Sequence, residues 1–165
     1  LWLEEHEHLS PHDVATMLEE RSGLLALAGT ADMREIETAF HQGEAGARLA
    51  LQVYNHHLVQ GIAAMSAATQ GIDILAFTGG VGENSAIVRR LTAERLGFLG
   101  VAIDSSRNDG VSGDTDISRA GAAAQTMVIS AREDLQIASQ ARRILVSAKG
   151  LAPTPVPLLT PIAPV

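Results

Sequence analysis

The sequence predicts an α/β fold with a mostly parallel sheet. Short apolar runs, DILAFT (73–78), GVAID (100–104) and TMVIS (126–130), alternate with stretches of helical period. A glycine-rich segment, GGVGENS, sits between the first of these runs and a helix. The chain has 165 residues, 46% hydrophobic and 19% charged, a globular mixture too short for two ordinary domains.

The first helix is predicted from Ser10, a good N-cap, with Pro11 at the first helical position and Asp13 in the first turn. Val14, Met17 and Leu18 form its apolar stripe, and Gly23 is its expected stop. LLALAG (24–29) reads as a short buried strand or extended piece. A second helix begins near Asp32, where Asp32 and Glu35 have capping-box spacing and Ile36, Ala39 and Phe40 face inward. Gly43 ends it. A long helix follows over 45–70, with Leu51, Tyr54, Leu58, Ile62 and Met65 on one face. At 1.5 Å per residue it spans roughly 40 Å. Gly61 within it predicts close packing of another backbone, because glycine there costs roughly 1 kcal/mol against alanine.

After the strand at 73–78 and the glycine-rich turn, AIVRRLTAERLG is a helix stopped by Gly97. A strand at 100–104, an irregular excursion over 105–124 and a buried strand at 126–130 come next. The closing helix has Ile137, Ala141, Ile144 and Ala148 on one face, with acids at its start and Arg142, Arg143 and Lys149 at its end. The body runs over 1–149. Beyond it, LAPTPVPLLTPIAPV within 150–165 reads as an extended polyproline-like tail, either a terminus outside the packed body or a docking strand or linker.

Composition excludes several functions. Twelve basic against 19 acidic residues give a net charge of −7. That argues against nucleic acid and anionic membranes as partners, since both need a basic surface. There is no cysteine, hence no disulfide, thiolate metal site or cysteine nucleophile. No run approaches the ~20 apolar residues of a membrane span, and LWLEEHEHLSPHD lacks the pattern of a signal peptide. A cytoplasmic protein is expected. The first residue is not Met, so the chain is either processed or a piece of something longer. His6, His8 and His12 share no single element, and a solvated cluster is the plainer reading than zinc. His56 and His57 read as packing residues on the long helix.

The glycine-rich turn lies where α/β folds place ligands, outside the carboxyl end of a strand and at the start of a helix. Gly79, Gly80 and Gly82 can adopt positive φ and have no Cβ to block a ligand. Their N–H groups can converge on an anion, each bond contributing roughly 1.5–3 kcal/mol before entropy. Asn84 can cap the helix or bond a nucleotide. The P-loop lysine is absent, and so is the third glycine of a dinucleotide fold. A tight connection without a ligand remains the alternative.

With these residues in view, DILAFTGGVGEN, the helix after it and LGFLGVAID resemble the C-terminal part of the acetate kinase family. RSGLLALAGTADMREIE resembles that family's adenosine-side loop, and ISAREDLQIA its closing segment. The resemblance runs in order over about residues 1–148. It implies the incomplete C-terminal lobe of an actin-like, hexokinase-like (ribonuclease H-like) ATPase fold. The implied activity is reversible transfer of the ATP γ-phosphoryl group to acetate. Gly80, Val81, Gly82, Glu83 and Asn84 match the nucleotide-binding turn, Asp32, Met33 and Arg34 a second nucleotide-contacting stretch, and Glu133 an acid associated with Mg²⁺. A homodimer joined through this lobe is also implied. Met33 departs from the family, which often has an aromatic there. Each site has a plainer reading: Asp32 as a helix cap, Arg34 as a surface charge, Glu133 as a first-turn acid.

The family's members are more than twice this length, and their catalytic and acetate-pocket residues would lie upstream of Leu1, so no catalytic residue is assigned. A related short-chain acyl kinase, such as one acting on propionate, is the nearest alternative. A non-catalytic dimerisation or regulatory fragment is the alternative from another class.

Overall fold

The computed structural model describes residues 2–148, with side chains through Leu145. Lys149 and the proline-rich tail lie outside the described residues. The chain divides into two compact units, Leu1–Ser130 and Ala131–Val165.

The first unit opens with α1 (Trp2–His6) and α2 (Pro11–Glu20). α2 begins as expected: the Ser10 side chain accepts from the Asp13 N–H at 3.1 Å and the Asp13 carboxylate accepts from the Ser10 N–H at 3.2 Å, a complete capping box. Its stripe differs from expectation, since Leu18 is 61% exposed and no residue of α2 is buried. Gly23 is not its stop. The helix ends at Arg21, whose N–H bonds the Met17 carbonyl, and Gly23, at φ +62°, opens the next element.

That element is α3 (Gly23–Ala28), a helix and not the expected strand. Gly23 and Gly29 both have positive φ and turn the chain at either end. The five apolar residues between them form a short helix against α5 (Ala45–Thr69). Between them, α4 (Met33–His41) starts at Asp32, which accepts from the Arg34 N–H at 2.9 Å. The reciprocal arm of the box belongs to Thr30: its Oγ1 accepts from the Asp32 N–H and donates to Glu35 at 2.6 Å.

α5 runs almost as expected and ends on Gln70 in the left-handed region. Its most buried line is Ala47, Leu51, Asn55 and Val59, at steps of four, while Met65 is 64% exposed. Small residues let neighbours approach. At Gly46 an added Cβ would stand 2.7 Å from the Leu27 carbonyl oxygen. At Gly61, where close packing was expected, nothing lies within 4 Å.

Next come β1 (Ile74–Phe77), α6 (Gly79–Asn84) and α7 (Ala86–Arg95). A 3₁₀ turn at Gly97–Leu99 follows, then α8 (Ser105–Asp109), β2 (Thr115–Asp116) and β3 (Gln125–Val128). The sheet order is β1-β3-β2. β1 and β3 are parallel, Ile74 opposite Gln125 through Phe77 opposite Val128. β2 runs antiparallel to β3, so the sheet is small and mixed, not mostly parallel. The reason is connection length: the segment between β2 and β3 is too short for a parallel crossover.

The expected strand at 100–104 is reduced to two isolated bridges, Val101 with Ala124 and Ile103 with Ser118. Gly100, at φ +82°, throws the chain between both arms of the 117–124 connection. Ala124 N–H donates to Gly100, Arg119 N–H to Ala102 and Asp104 N–H to Ile117. Bonded on two sides, the segment extends a ladder on neither. The expected irregular excursion contains α8, capped by Asp104, and β2.

One buried cluster joins α4, α5 and α7 through Ile36, Ala47, Ala50, Leu51, Ile87 and Val88. A second contains Val59, Ala93, Leu96, Val101 and Ala124, and a third lies at the sheet around Phe77, Ile117 and Val128. Asn55 and Thr92 tie α5 to α7 by a buried hydrogen bond of 2.7 Å.

The second unit contains α9 (Glu133–Ala148). Glu133 and Asp134 occupy its first turn, and its last turn carries no base, Arg142 and Arg143 lying earlier. Leu135, Ile137, Ile144 and Leu145 are exposed. Among the described residues no helix is long and apolar enough to cross a membrane.

Candidate functional site

The two stretches that the sequence singled out, 46 positions apart from Arg34 to Gly80, meet at one cleft. Its walls are the start of α4 and the segment from α6 into α7. Asp32, Met33, Arg34, Gly80, Val81 and Asn84 line a cavity of about 630 Å³, within the range of small-molecule sites.

The α4 wall is ordered by Asp32. Its carboxylate caps the helix and also receives the Arg34 side chain, Nε to Oδ1 at 3.0 Å and Nη2 to Oδ2. This fork holds the Asp32 carboxyl down at about 2, from the usual 3.8, chiefly through the side-chain hydrogen bond from Arg34. The same contact raises Arg34. The guanidinium is 89% exposed, so a cation stands at the mouth of the cleft. Met33 is half-buried and packs against the α4–α5–α7 cluster.

The α6 wall differs from the expected open turn. GGVGEN is a short helix, and of its three glycines only Gly79, at φ +73°, uses the left-handed region. The Gly79 N–H is taken by the Glu83 carboxylate at 2.9 Å, so this amide does not face an anion as expected. A carboxylate four residues on caps its own helix start. Gly82 faces inward, where an added Cβ would lie 3.2 Å from the Phe77 carbonyl carbon. Gly80 is exposed with open space around it, and Val81 packs into the α4–α5–α7 cluster. Asn84 Nδ2 donates to the Gly80 carbonyl at 2.8 Å. Gly80, Val81 and Asn84 therefore line the cleft, whereas Gly82 and Glu83 shape it from behind.

Five lining residues were not assigned to the site from the sequence: Leu24, Ala31, Glu37, Tyr54 and Ser85. Ser85 caps α7, accepting from the Val88 N–H at 3.1 Å, and its hydroxyl donates to Glu37. Its N-cap signal is readable at the end of GGVGENS. Glu37 carries no local signal. Behind the wall, Arg89 is 2% exposed, and its Nη1 donates to the Gly82 and Glu83 carbonyls at 2.9 and 2.8 Å. Nε and Nη2 reach the Asn108 side chain and carbonyl at 2.7 Å each. Burial lowers the Arg89 pKa, and the nearby Asp109 and Glu37 charges oppose that effect.

Glu133 opens α9 in the second unit. Among the described residues no group of three or more His, Asp or Glu side chains is placed to hold a metal ion. His6 instead stacks on Trp2, ring centroids 4.6 Å apart.

Apolar Leu24, Met33 and Tyr54, an exposed cation and a glycine wall make a cleft suited to a planar, partly apolar ligand carrying an anionic tail. The chain is 41% identical over 145 residues to an acetate kinase of Deinococcus deserti, covering 86% of this chain and 36% of that one. It is 45% identical over 125 residues to an acetate kinase of Gloeobacter violaceus, covering 75% and 31%. A solved acetate kinase of Porphyromonas gingivalis superposes with a TM-score of 0.79 at 34% identity, covering 87% of this chain and 37% of that one. A solved propionate kinase of Francisella tularensis gives 0.77 at 32%, covering 83% and 35%. The chain thus spans about a third of the length of the relatives it matches. With the model of the acetokinase family matching residues 1–139, this chain belongs to that family.

Proposed function

We propose that this chain is the nucleotide-binding part of an acetate kinase, working in the cytoplasm within an actin-like ATPase fold and transferring the γ-phosphoryl group of ATP to acetate when the remaining lobe is present. The observation that carries the reading is the convergence of Asp32–Arg34 and Gly80–Asn84 on one cleft. The apolar part of the cleft receives the base and sugar. Arg34 and the Gly80 and Val81 N–H groups, which follow the Gly79 amide already held by Glu83, receive the phosphates.

Mg²⁺ would come with the nucleotide, because this ion keeps most of its waters and is held largely by phosphate oxygens. A single protein carboxylate suits that mode, and Glu133 is the residue proposed to supply it. When bound, the ion neutralises charge developing on the transferred group. The protein's own task in this part is to fix the nucleotide and orient its phosphate chain. A homodimer through this lobe completes the proposal.

A propionate-directed enzyme is the second reading. It is favoured by the propionate kinase of Francisella tularensis, which superposes nearly as well as the acetate kinase of Porphyromonas gingivalis.

The test is calorimetric titration of the chain and of Gly80→Val with Mg·ADP. A Cβ added at Gly80, a cleft-lining residue, meets nothing within 4 Å, so the side chain has open space to enter. Binding by the parent chain, weakened at least tenfold in the variant, supports the reading. Equal binding by both removes the cleft from consideration. Sedimentation analysis of the same samples adds the partner test: a dimer blind to Mg·ADP favours a non-catalytic module.

A further inference from the structure

Glu37 and Ser85 stand 48 positions apart, one on each wall of the cleft, and are joined by a hydrogen bond. α4 leans on α5, and α6 on α7. Both walls also rest on the one α4–α5–α7 cluster, through Met33 and Val81, so the Glu37–Ser85 bond is a direct polar tie between walls that otherwise share only an apolar base. The donor direction is fixed. Ser85 Oγ already accepts from the Val88 N–H, so its one proton is left for the Glu37 carboxylate. Ser85 is buried at 2% exposure and sits directly after Asn84, while Glu37 is one helical turn beyond Met33 and Arg34. The bond thus reports the separation of the two stretches that line the site.

A carboxylate is an odd lining for a cleft that takes a polyanion, since like charges repel. It is explained if its task is to grip the opposite wall rather than the ligand. We propose that the Glu37–Ser85 hydrogen bond is a clasp that sets the width of the cleft, making Glu37 a positioning residue for the nucleotide. This rests on the nucleotide reading above. It assigns a role to Glu37, which lies outside the Asp32–Arg34 and Gly80–Asn84 stretches.

The chemistry makes the conservative variant informative. Glu37→Gln keeps an acceptor for the Ser85 hydroxyl and removes the charge. Glu37→Leu keeps the bulk and removes the acceptor, and leaves the Ser85 cap on Val88 in place. Calorimetry with Mg·ADP should show Glu37→Gln binding as the parent or tighter, and Glu37→Leu about tenfold weaker, the effect of one charge-assisted hydrogen bond. Parent-like binding by both variants overturns the clasp. Equal weakening of both also overturns it, because the carboxylate would then be touching the ligand.

Hydrogen exchange on the ligand-free protein keeps the two claims apart. Glu37→Leu should speed exchange in both 33–41 and 79–88 while leaving 47–59 of α5 unchanged, and Glu37→Gln should speed neither wall. A change in one wall alone, or in none, refutes the clasp whatever the nucleotide result. If the parent fails to bind Mg·ADP while exchange behaves as stated, the nucleotide reading falls and the clasp remains as a link between the walls.

Discussion

Arg89 Nη1 holds the carbonyl oxygen of Gly82 at 2.9 Å, from a guanidinium that is 2% exposed. With the Glu83 carbonyl and both Asn108 oxygens, it serves four acceptors around the end of α6. A planar fork of five donors is the side chain that can do this. Arg89→Met should lower stability by about 3 kcal/mol or more, because buried acceptors are left unpaired. Arg89→Lys should lie between, as one ammonium cannot reproduce the fork. Urea unfolding followed by circular dichroism measures both, and a loss under 1 kcal/mol in Arg89→Met would show that the acceptors find other partners.

The two glycines of α5 should respond in opposite directions. Gly46→Ala forces a Cβ to 2.7 Å from a backbone oxygen and should destabilise the packing of α3 on α5. Gly61→Ala meets open space in a helix interior and should stabilise by about 0.5–1 kcal/mol. Thermal unfolding of the two variants tests the pair, and a lower melting temperature for Gly61→Ala would contradict it.

The Asp32–Arg34 fork has a pH signature. Asp32 titrates at about 2 in the folded chain against 3.8 ordinarily. The folded state therefore binds the proton less readily. Its contribution to stability is full above about pH 4 and is lost as pH falls through 2. Carboxyl NMR titration should place Asp32 near 2 and return it toward 3.8 in Arg34→Ala. An unchanged midpoint in that variant would assign the depression to the helix start instead.

Much of this was legible in the sequence wherever a local rule acts. Ser10, Pro11 and Asp13 announce α2, Asp32 announces α4, and the apolar spacing of 45–70 announces α5. LLALAG was not legible, because an unbroken apolar run carries no period to distinguish strand from helix. GGVGEN reads as a turn from its glycines, yet it is helical. Glu83 and Asn84 bond back to Gly79 and Gly80, and Arg89 holds the carbonyl end. The membership of the cleft was half legible. Asp32–Arg34 and Gly80–Asn84 are contiguous motifs, whereas Glu37 and Tyr54 enter through helix packing that no spacing encodes. The strand at 100–104 failed for a similar reason, since its partners lie on both arms of a later loop.

Binding and turnover should separate in this chain. It spans about a third of the length of its acetate kinase relatives, and the in-line transfer of a phosphoryl group needs an acceptor site and cationic stabilisation of the equatorial oxygens as well as a nucleotide site. A coupled assay for ATP formation from acetyl phosphate and ADP should give no signal above background. Turnover at the rate of an intact kinase would show that the cleft and its neighbours suffice.

The most direct test of the nucleotide cleft is amide NMR of the chain during addition of Mg·ADP. Saturable shifts confined to 32–34, 80–84 and their contacts on α5 are expected, with the sheet residues 125–128 unmoved. Saturating Mg·ADP that leaves both stretches unshifted, or that moves residues elsewhere in their place, would contradict the assignment.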